Sequence, residues 1–163
     1  MSRAITAGAA GGLAGGLVFA ALMRIMPDAA VQTSMIDFAA DAVHVADPLV
    51  GWFVYVIYGV ATGALFGWLR RDSRGDDMSA LVWGGLYGAG WWTIAEIVLV
   101  PALSGFWPLS IPAVARARDV ALPLLIGHVA AGAAMGLAWT WITRWTSRNR
   151  HENLEESSTR RAA

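Results

Sequence analysis

Four long apolar stretches limit what this chain can fold into more than any other feature of its sequence. Residues 4–23, 48–69, 78–95 and 120–143 each run eighteen or more residues without a charged side chain. The hydrocarbon core of a bilayer is about 30 Å thick, and roughly 20 apolar residues in a helix cross it. Within lipid, a helix satisfies every backbone polar group inside one segment. The pattern therefore predicts an all-α integral membrane protein built as a four-helix bundle.

The predicted bundle uses nearly all of the chain, which has 163 residues, 56% of them hydrophobic. We expect the bundle to cover residues 1–147. Its spans are predicted at residues 4–26, 48–70, 79–103 and 121–145. The charged residues 148–163 are expected to form a disordered tail.

The connection between the first two spans, residues 28–46, carries its own periodicity. Apolar side chains recur there at helical spacing, at Val31, Met35, Phe38 and Ala42. This spacing predicts a short amphipathic helix that lies on the outer membrane surface.

Arginine placement predicts the orientation of the bundle. All twelve basic residues are Arg. One side of the four-span topology holds nine of them, at Arg3, Arg70, Arg71, Arg74, Arg144, Arg148, Arg150, Arg160 and Arg161. The other side holds only Arg24, Arg116 and Arg118. Because basic residues concentrate in cytoplasmic loops, both termini are predicted to be cytoplasmic.

Charge, cysteine content and motifs exclude several functions. The formal net charge is zero, which gives no reason to expect a nucleic-acid partner. Cysteine is absent, which excludes disulfides, thiolate metal sites and cysteine nucleophiles. The sequence contains no His-x-x-x-His pair, no phosphate-binding glycine loop and no nucleophile with a plausible base. We therefore predict a protein that is not an enzyme and that has no obligatory cofactor.

The eighteen glycines form rows. Residues four apart stack on one face of a helix. Such rows occur in every predicted span, at Gly12 and Gly16, at Gly59, Gly63 and Gly67, at Gly84 and Gly88, and at Gly132 and Gly136. In lipid there is no hydrophobic driving force between helices. Close packing of their backbones at small residues, as in GxxxG motifs, drives association instead. The rows predict tight helix packing, either within the chain or against another subunit.

The second and fourth spans are similar in sequence. The segment GVATGALFG at residues 59–67 aligns with HVAAGAAMG at residues 128–136. Each is preceded by a span with early glycines and a late proline, which is consistent with two repeated hairpins in the same orientation. Chance similarity between Gly- and Ala-rich helices is the alternative.

Two ionisable side chains, Glu96 and His128, lie well inside the predicted spans. At about 1.5 Å of rise per residue, both lie roughly 10 Å below the outer surface. Tyr55 reaches the same level from the second span. We therefore predict a polar cluster of Glu96, His128 and Tyr55. Within it, Glu96 and His128 are expected to be joined directly or through one water molecule.

Three roles are open for this cluster. In the first, Glu96 and His128 form an interhelical hydrogen bond that stabilises the bundle by about 1 kcal/mol. In the second, the pair carries protons or cations, as buried carboxylates and histidines do in transporters. In the third, His128, together with His44 from the outer connection, holds the iron of a haem or another tetrapyrrole.

The second to fourth spans together carry a pattern of glycine, aromatic and other residues. These positions are Gly51-Trp52, Tyr58-Gly59, Gly63 and Gly67, then Gly84 and Tyr87-Gly88, then Leu125-Ile126-Gly127-His128, Gly132 and Gly136. In these residues the chain resembles small bacterial YagU-like inner-membrane proteins. The resemblance implies a multi-pass protein of the bacterial inner membrane with no established reaction.

These observations favour a non-enzymatic packing or accessory subunit of a larger inner-membrane assembly. The expected partners are the lipid bilayer and either another membrane protein or a second copy of the chain. One alternative is a small proton or ion transporter or channel. Another is a tetrapyrrole-holding subunit of a redox or light-harvesting complex.

The predicted orientation can be tested by cysteine labelling, because the natural chain has no cysteine. Ser73→Cys should be cytoplasmic and Ser110→Cys external, because the arginine bias puts residues 70–77 inside. An impermeant thiol reagent applied to intact cells should label Ser110→Cys and leave Ser73→Cys unmodified. The reverse labelling pattern would overturn the orientation.

Overall fold

The structure is a computed structural model that describes residues 3–25, 40, 43–45, 47, 48–73, 76–103, 105, 107 and 121–162. This part of the chain contains four long helices: α1 (Arg3–Ile25), α2 (Pro48–Leu69), α3 (starting as Asp77–Ile94) and α4 (Ala121–Ala162). Beyond Ile94, α3 continues as a π-helical turn, Ala95–Leu99, and a last α-helical turn, Val100–Leu103. The prediction of an all-α fold with four helices is confirmed.

Three of the four helices are long and apolar enough to cross a membrane. These segments are Arg3–Leu22, Pro48–Leu69 and Leu124–Arg150. The predicted span at residues 79–103 is not among them. The α-helical part of α3 begins at the charged Asp77, is rich in Gly and Trp, and ends at Ile94, where the π-helical turn takes over.

The helices follow one another in space in the order α2, α1, α4, α3, with extensive contacts between α2 and α1, between α1 and α4, and between α4 and α3. Neighbours along this order are antiparallel, because in each pair the contacts move forward along one helix as they move backward along the other. The contacts that show this are Gly8–Gly67 and Gly12–Gly59, Gly11–Met135 and Gly15–Ala131, and Gly84–Gly132 and Gly88–His128. We call each line of contact between two helices a seam. The end of the bundle next to residues 70–73 is called the loop end.

The α1–α2 seam is a contact between backbones. A Cβ placed on Gly63 would lie 2.6 Å from the Cα of Gly12, and one placed on Gly8 would lie 2.7 Å from the Cα of Gly67. Real side chains do not approach this closely, so the glycines fix the distance between the two helices. The absence of side chains also lets the two backbones supply the van der Waals contact that drives association in lipid.

The α3–α4 seam repeats the same contacts in the same register. Ala80 faces Gly136 as Ala4 faces Gly67. The other pairs correspond in order: Gly84–Gly132 to Gly8–Gly63, and Gly88–His128 to Gly12–Gly59. The first hairpin (α1 and α2) and the second (α3 and α4) therefore share one packing pattern, in the register of the aligned segments 59–67 and 128–136.

The α1–α4 seam joins the two hairpins, and it too depends on glycine. A Cβ on Gly11 would lie 2.8 Å from the carbonyl oxygen of Met135, and one on Gly15 would lie 2.6 Å from that of Ala131. Gly16 differs from these positions, since the nearest neighbours of a Cβ there are atoms of the Tyr55 side chain at 3.6 Å or more. Gly16 therefore accommodates a side chain of α2 and does not touch a facing backbone.

The loop end of the bundle is filled by side chains. Phe66, Met135 and Trp139 are buried together, and the Trp139 indole Nε1 donates a hydrogen bond of 3.0 Å to the Ala4 carbonyl. The Arg70 guanidinium lies over the Trp139 ring at 5.9 Å from its centroid. At the surface, Arg144 Nη1 donates to Asp77 Oδ1 at 2.6 Å.

The expectation of a disordered tail is wrong, because α4 continues without interruption to Ala162. Residues 148–162 include four Arg and three Glu, which favour a helix, and a helix already formed upstream needs no new nucleus. The predicted amphipathic segment, residues 28–46, falls mostly outside the described residues. In it, His44 lies on an exposed turn with φ of 58°.

Substituting alanine for glycine tests the seams. Gly63→Ala and Gly132→Ala each place a Cβ against a facing backbone, so we expect each to lower the free energy of unfolding by about 1–3 kcal/mol or more. Gly90→Ala is the matched control, because nothing lies within 4 Å of a Cβ there. Thermal denaturation in detergent measures the effect. Unchanged melting of both seam variants would contradict the backbone contacts.

Candidate functional site

A cavity of about 350 Å³ lies inside the bundle, away from the loop end. All four helices line it, with residues from 12–19, 54–62, 87–102 and 128–135. Its volume is at the lower end of the range of roughly 300–1,000 Å³ that is typical of small-molecule sites. The buried residues of the loop end close one side of it, because Met135 belongs both to the lining and to that packed cluster.

The three residues of the predicted polar cluster, Tyr55, Glu96 and His128, all line this cavity. They come from α2, the π-helical turn of α3, and α4. The Tyr55 hydroxyl donates a hydrogen bond of 2.7 Å to the Gly16 carbonyl. A direct or single-water link between Glu96 and His128 stays a prediction. His44 is exposed and is not among the described residues that line the cavity.

The contacts of His128 define its hydrogen-bonding character. Its Nδ1 lies 2.8 Å from the Leu124 carbonyl oxygen, one turn earlier in α4. A carbonyl only accepts hydrogen bonds, so Nδ1 carries the proton and, in the neutral ring, Nε2 is the acceptor. The Phe19 ring packs edge-on against the imidazole with 4.6 Å between centroids, which restricts the ring's orientation. His128 therefore offers the cavity an acceptor with a fixed tautomer.

Glu96 lies in the π-helical turn, Ala95–Leu99. Pro101 explains why the α-helix is interrupted here, since it has no N–H to donate and its ring clashes with the carbonyl four residues earlier, that of Ile97. Single π-helical turns within α-helices occur frequently at functional sites. Pro101 was the sequence signal for this irregularity, but by itself it does not predict the π geometry.

The α2–α3 seam is closed by aromatic side chains, in contrast to the three glycine seams. The Tyr87 hydroxyl donates to the Thr62 carbonyl at 2.7 Å. The Trp91 indole Nε1 donates to the Tyr58 hydroxyl. The rings of Tyr87 and Trp91 stack with 6.1 Å between centroids. These side chains separate the cavity from the outside of the bundle on this face.

The repeated register explains why this seam is wide. The shift along the chain that relates Gly12 to Gly88 also relates Gly11 to Tyr87 and Gly15 to Trp91. Gly11 and Gly15 let α1 touch α4, but the corresponding positions of α3 carry two large rings toward α2. The aromatic rings hold α3 away from α2, and the space that results is the cavity.

Sequence reasoning missed this aromatic closure. Tyr58, Tyr87 and Trp91 have polar tips and lie deep in the predicted spans, away from the membrane interfaces where Tyr and Trp concentrate. That depth was the available signal. The depth of a residue in its span does not show which helix lies opposite. The pairing of Tyr58 with Trp91 across a seam therefore could not be predicted from it.

The lining combines an apolar wall with a few hydrogen-bonding groups. Glycine, alanine and larger apolar side chains form most of its surface. The polar groups are the carboxyl of Glu96, the imidazole of His128, the indole N–H of Trp91, and the hydroxyls of three tyrosines and one threonine. Within the described residues, no three His, Cys, Asp or Glu side chains come together as a metal site. The arrangement is suited to holding a mostly apolar molecule by one polar end.

Comparisons with protein-family models, with curated proteins and with solved structures found no match. The resemblance to YagU-like proteins therefore stays a prediction.

Removing one hydroxyl tests the aromatic closure. Tyr87→Phe keeps the ring but loses the bond to Thr62, so we expect unfolding to become easier by about 0.5–1.5 kcal/mol and the α2–α3 seam to open more often. Spin labels on Ile57→Cys and Ile94→Cys, both exposed, report the distance between these helices.

Tyr55→Phe is the matched control for this measurement. It loses a bond of the same length to a backbone carbonyl, but in a seam that glycines already hold. The distance distribution should broaden with Tyr87→Phe and stay as in the natural protein with Tyr55→Phe. Equal distributions in the two variants would show that the hydroxyl does not close the seam.

Proposed function

We propose that this chain is an integral membrane protein that binds a small, mostly apolar ligand inside its helical bundle. The observation that carries the proposal is the cavity on which all four helices converge, with Tyr55, Glu96 and His128 in its lining. Ionisable groups inside a membrane are costly and face a protein interior or a cavity where they have a function. The proposed activity is binding, and no reaction is assigned.

The glycine rows weigh against the alternative of a packing or accessory subunit. Such a subunit would present its small-residue faces to a partner. In this bundle the rows face one another within the chain, across the α1–α2, α3–α4 and α1–α4 seams. The rows are therefore accounted for without a second protein.

The proposed setting is a bacterial inner membrane, with both termini in the cytoplasm and with α3 also crossing the bilayer. The helix directions support the crossing by α3. Both α2 and α4 run antiparallel to α1, so they run parallel to each other, and the chain between them has to return through α3. One face of α3 packs against α4 through glycine, so α3 does not need an apolar surface on all sides to cross the bilayer.

Transport of the ligand is the second candidate. It is favoured by the tight packing next to the cavity at the loop end, where Phe66, Met135 and Trp139 are buried. On the predicted orientation this is the cytoplasmic side. A site near the middle of a bundle built from two repeated hairpins, with one end packed shut, is the arrangement expected of one state of an alternating-access carrier.

A photoreactive probe tests binding. We would add an aryl-diazirine with a short alkyl chain to membranes that contain the protein, irradiate, and map the modified residues by mass spectrometry. Labelling at lipid-facing residues should rise linearly with probe concentration. Labelling at cavity residues such as Tyr58, Ala95 and Ala131 should saturate and be displaced by unlabelled probe.

Gly16→Leu and Gly90→Leu form the matched pair for this experiment. Gly16 lines the cavity, and the three atoms nearest to a Cβ there belong to the Tyr55 side chain; a Cβ at Gly90 meets nothing within 4 Å, and Gly90 is not in the lining. Gly16→Leu should abolish the saturable labelling, and Gly90→Leu should retain it. Saturable labelling that survives Gly16→Leu, or that never appears, would count against binding in this cavity.

A further inference from the structure

We infer that the ligand of the cavity is a lipophilic alcohol or phenol, a mostly apolar molecule whose hydroxyl donates a hydrogen bond to Nε2 of His128. This inference rests on the proposed binding function and names the chemical class of the ligand. Two hydrogen-bonding groups of the lining carry it, because each lacks a partner among the described residues.

Most side-chain donors of the lining are already used within the bundle. The hydroxyls of Tyr55 and Tyr87 donate to backbone carbonyls of neighbouring helices. The Thr62 hydroxyl donates to the backbone carbonyl one turn earlier in α2. The Trp91 indole donates to the Tyr58 hydroxyl. These four donors are spent on the protein, so they do not select a ligand.

His128 presents an acceptor without a partner. Its Nδ1–H is bonded to the Leu124 carbonyl, so the free lone pair of the neutral ring is on Nε2. Among the described residues nothing donates to Nε2, and Nε2 is not one of the polar side-chain atoms that are buried without a partner. Since His128 lines the cavity and the Phe19 ring restricts its orientation, Nε2 is open to a molecule in the cavity. That molecule has to bring an O–H or N–H.

Tyr58 presents a donor without a partner. Its hydroxyl oxygen accepts from Trp91, and its own O–H has no acceptor in the part of the chain that the structure describes. In a mostly apolar wall, a donor or acceptor that stays unpaired costs free energy until a partner arrives. The cavity therefore favours a molecule that can accept one hydrogen bond as well as donate one.

A hydroxyl complements both groups, because it combines a donor and an acceptor in one small head. An ether or ketone has no hydrogen to donate to Nε2, and an ammonium has no lone pair to accept the Tyr58 O–H. The match does not involve the Glu96 carboxylate, which interacts within the protein. The rest of the wall includes Phe19, Leu99 and Met135, which suit an alkyl or aromatic body.

The test compares three photoreactive probes with the same aryl-diazirine body and chain, ending in a hydroxyl, a methyl ether or a methyl group. Labelling of lipid-facing residues measures the concentration of each probe in the bilayer, so saturable labelling of the cavity is scaled to it. In the natural protein the alcohol should half-saturate the cavity at a concentration about fivefold or more below that of the other two probes, because it alone can donate to Nε2.

His128→Phe is the matched variant, because it keeps a flat ring beside Phe19 and removes the acceptor. In this variant the alcohol and the ether should half-saturate the cavity at the same concentration. Gly90→Ala, which changes a residue outside the lining, should keep the advantage of the alcohol. An advantage that survives in His128→Phe would overturn the assignment of Nε2 as the group that binds the hydroxyl.

The outcomes separate this inference from the function on which it rests. Equal half-saturation by all three probes in the natural protein, as expected if water pairs with His128 and Tyr58, would overturn the inference of a hydroxyl and leave ligand binding intact. No saturable labelling by any probe would overturn both. The comparison of probes on the natural protein decides the selectivity without any variant.

Discussion

Contact between glycine backbones across helices is the interaction on which the rest of this structure depends. In lipid, apolar side chains gain nothing by turning inward, so the helices associate where their backbones can touch. Gly8, Gly12 and Gly63 bring α1 against α2, and Gly84 and Gly132 do the same for α3 and α4. Each hairpin is held rigidly by these contacts, and a third glycine seam joins the hairpins. The positions of all four helices follow from them.

The cavity is a consequence of the one seam that does not use glycine. Tyr87 and Trp91 replace in α3 the small residues that Gly11 and Gly15 supply in α1, and they keep α2 and α3 apart. The same rings that create the space also close it, through hydrogen bonds to α2. The spacing of α2 and α3 and the cavity between them therefore have one cause, the large residues that α3 carries where α1 has glycine. A cavity of this kind needs no loop or inserted segment, only a change of residue size along one helix face.

Hydropathy and residue spacing predicted the all-α class and the glycine rows, and depth counting put Tyr55, Glu96 and His128 at one level, where they now line one cavity. Depth along a helix follows from a fixed rise per residue, so it can be read from sequence. Other features were missed because they depend on neighbours. The π-helical turn before Pro101 and the pairing of Trp91 with Tyr58 require knowing which helix lies opposite. The helical tail was missed because composition alone does not show that a helix upstream extends into it.

The repeated register of the two hairpins also shows where they differ. The position of α1 that corresponds to Glu96 is Ala20, and the position of α2 that corresponds to His128 is Gly59. For the polar residue that the first hairpin contributes, Tyr55 of α2, the corresponding position in the second hairpin is Leu124 of α4. Each polar residue of the cavity thus has a small or apolar counterpart in the other hairpin. The shared residues build a nearly two-fold scaffold, and every residue able to recognise a ligand breaks that symmetry. A molecule held there meets two unlike walls, so it has one preferred orientation even though the frame around it is almost symmetric.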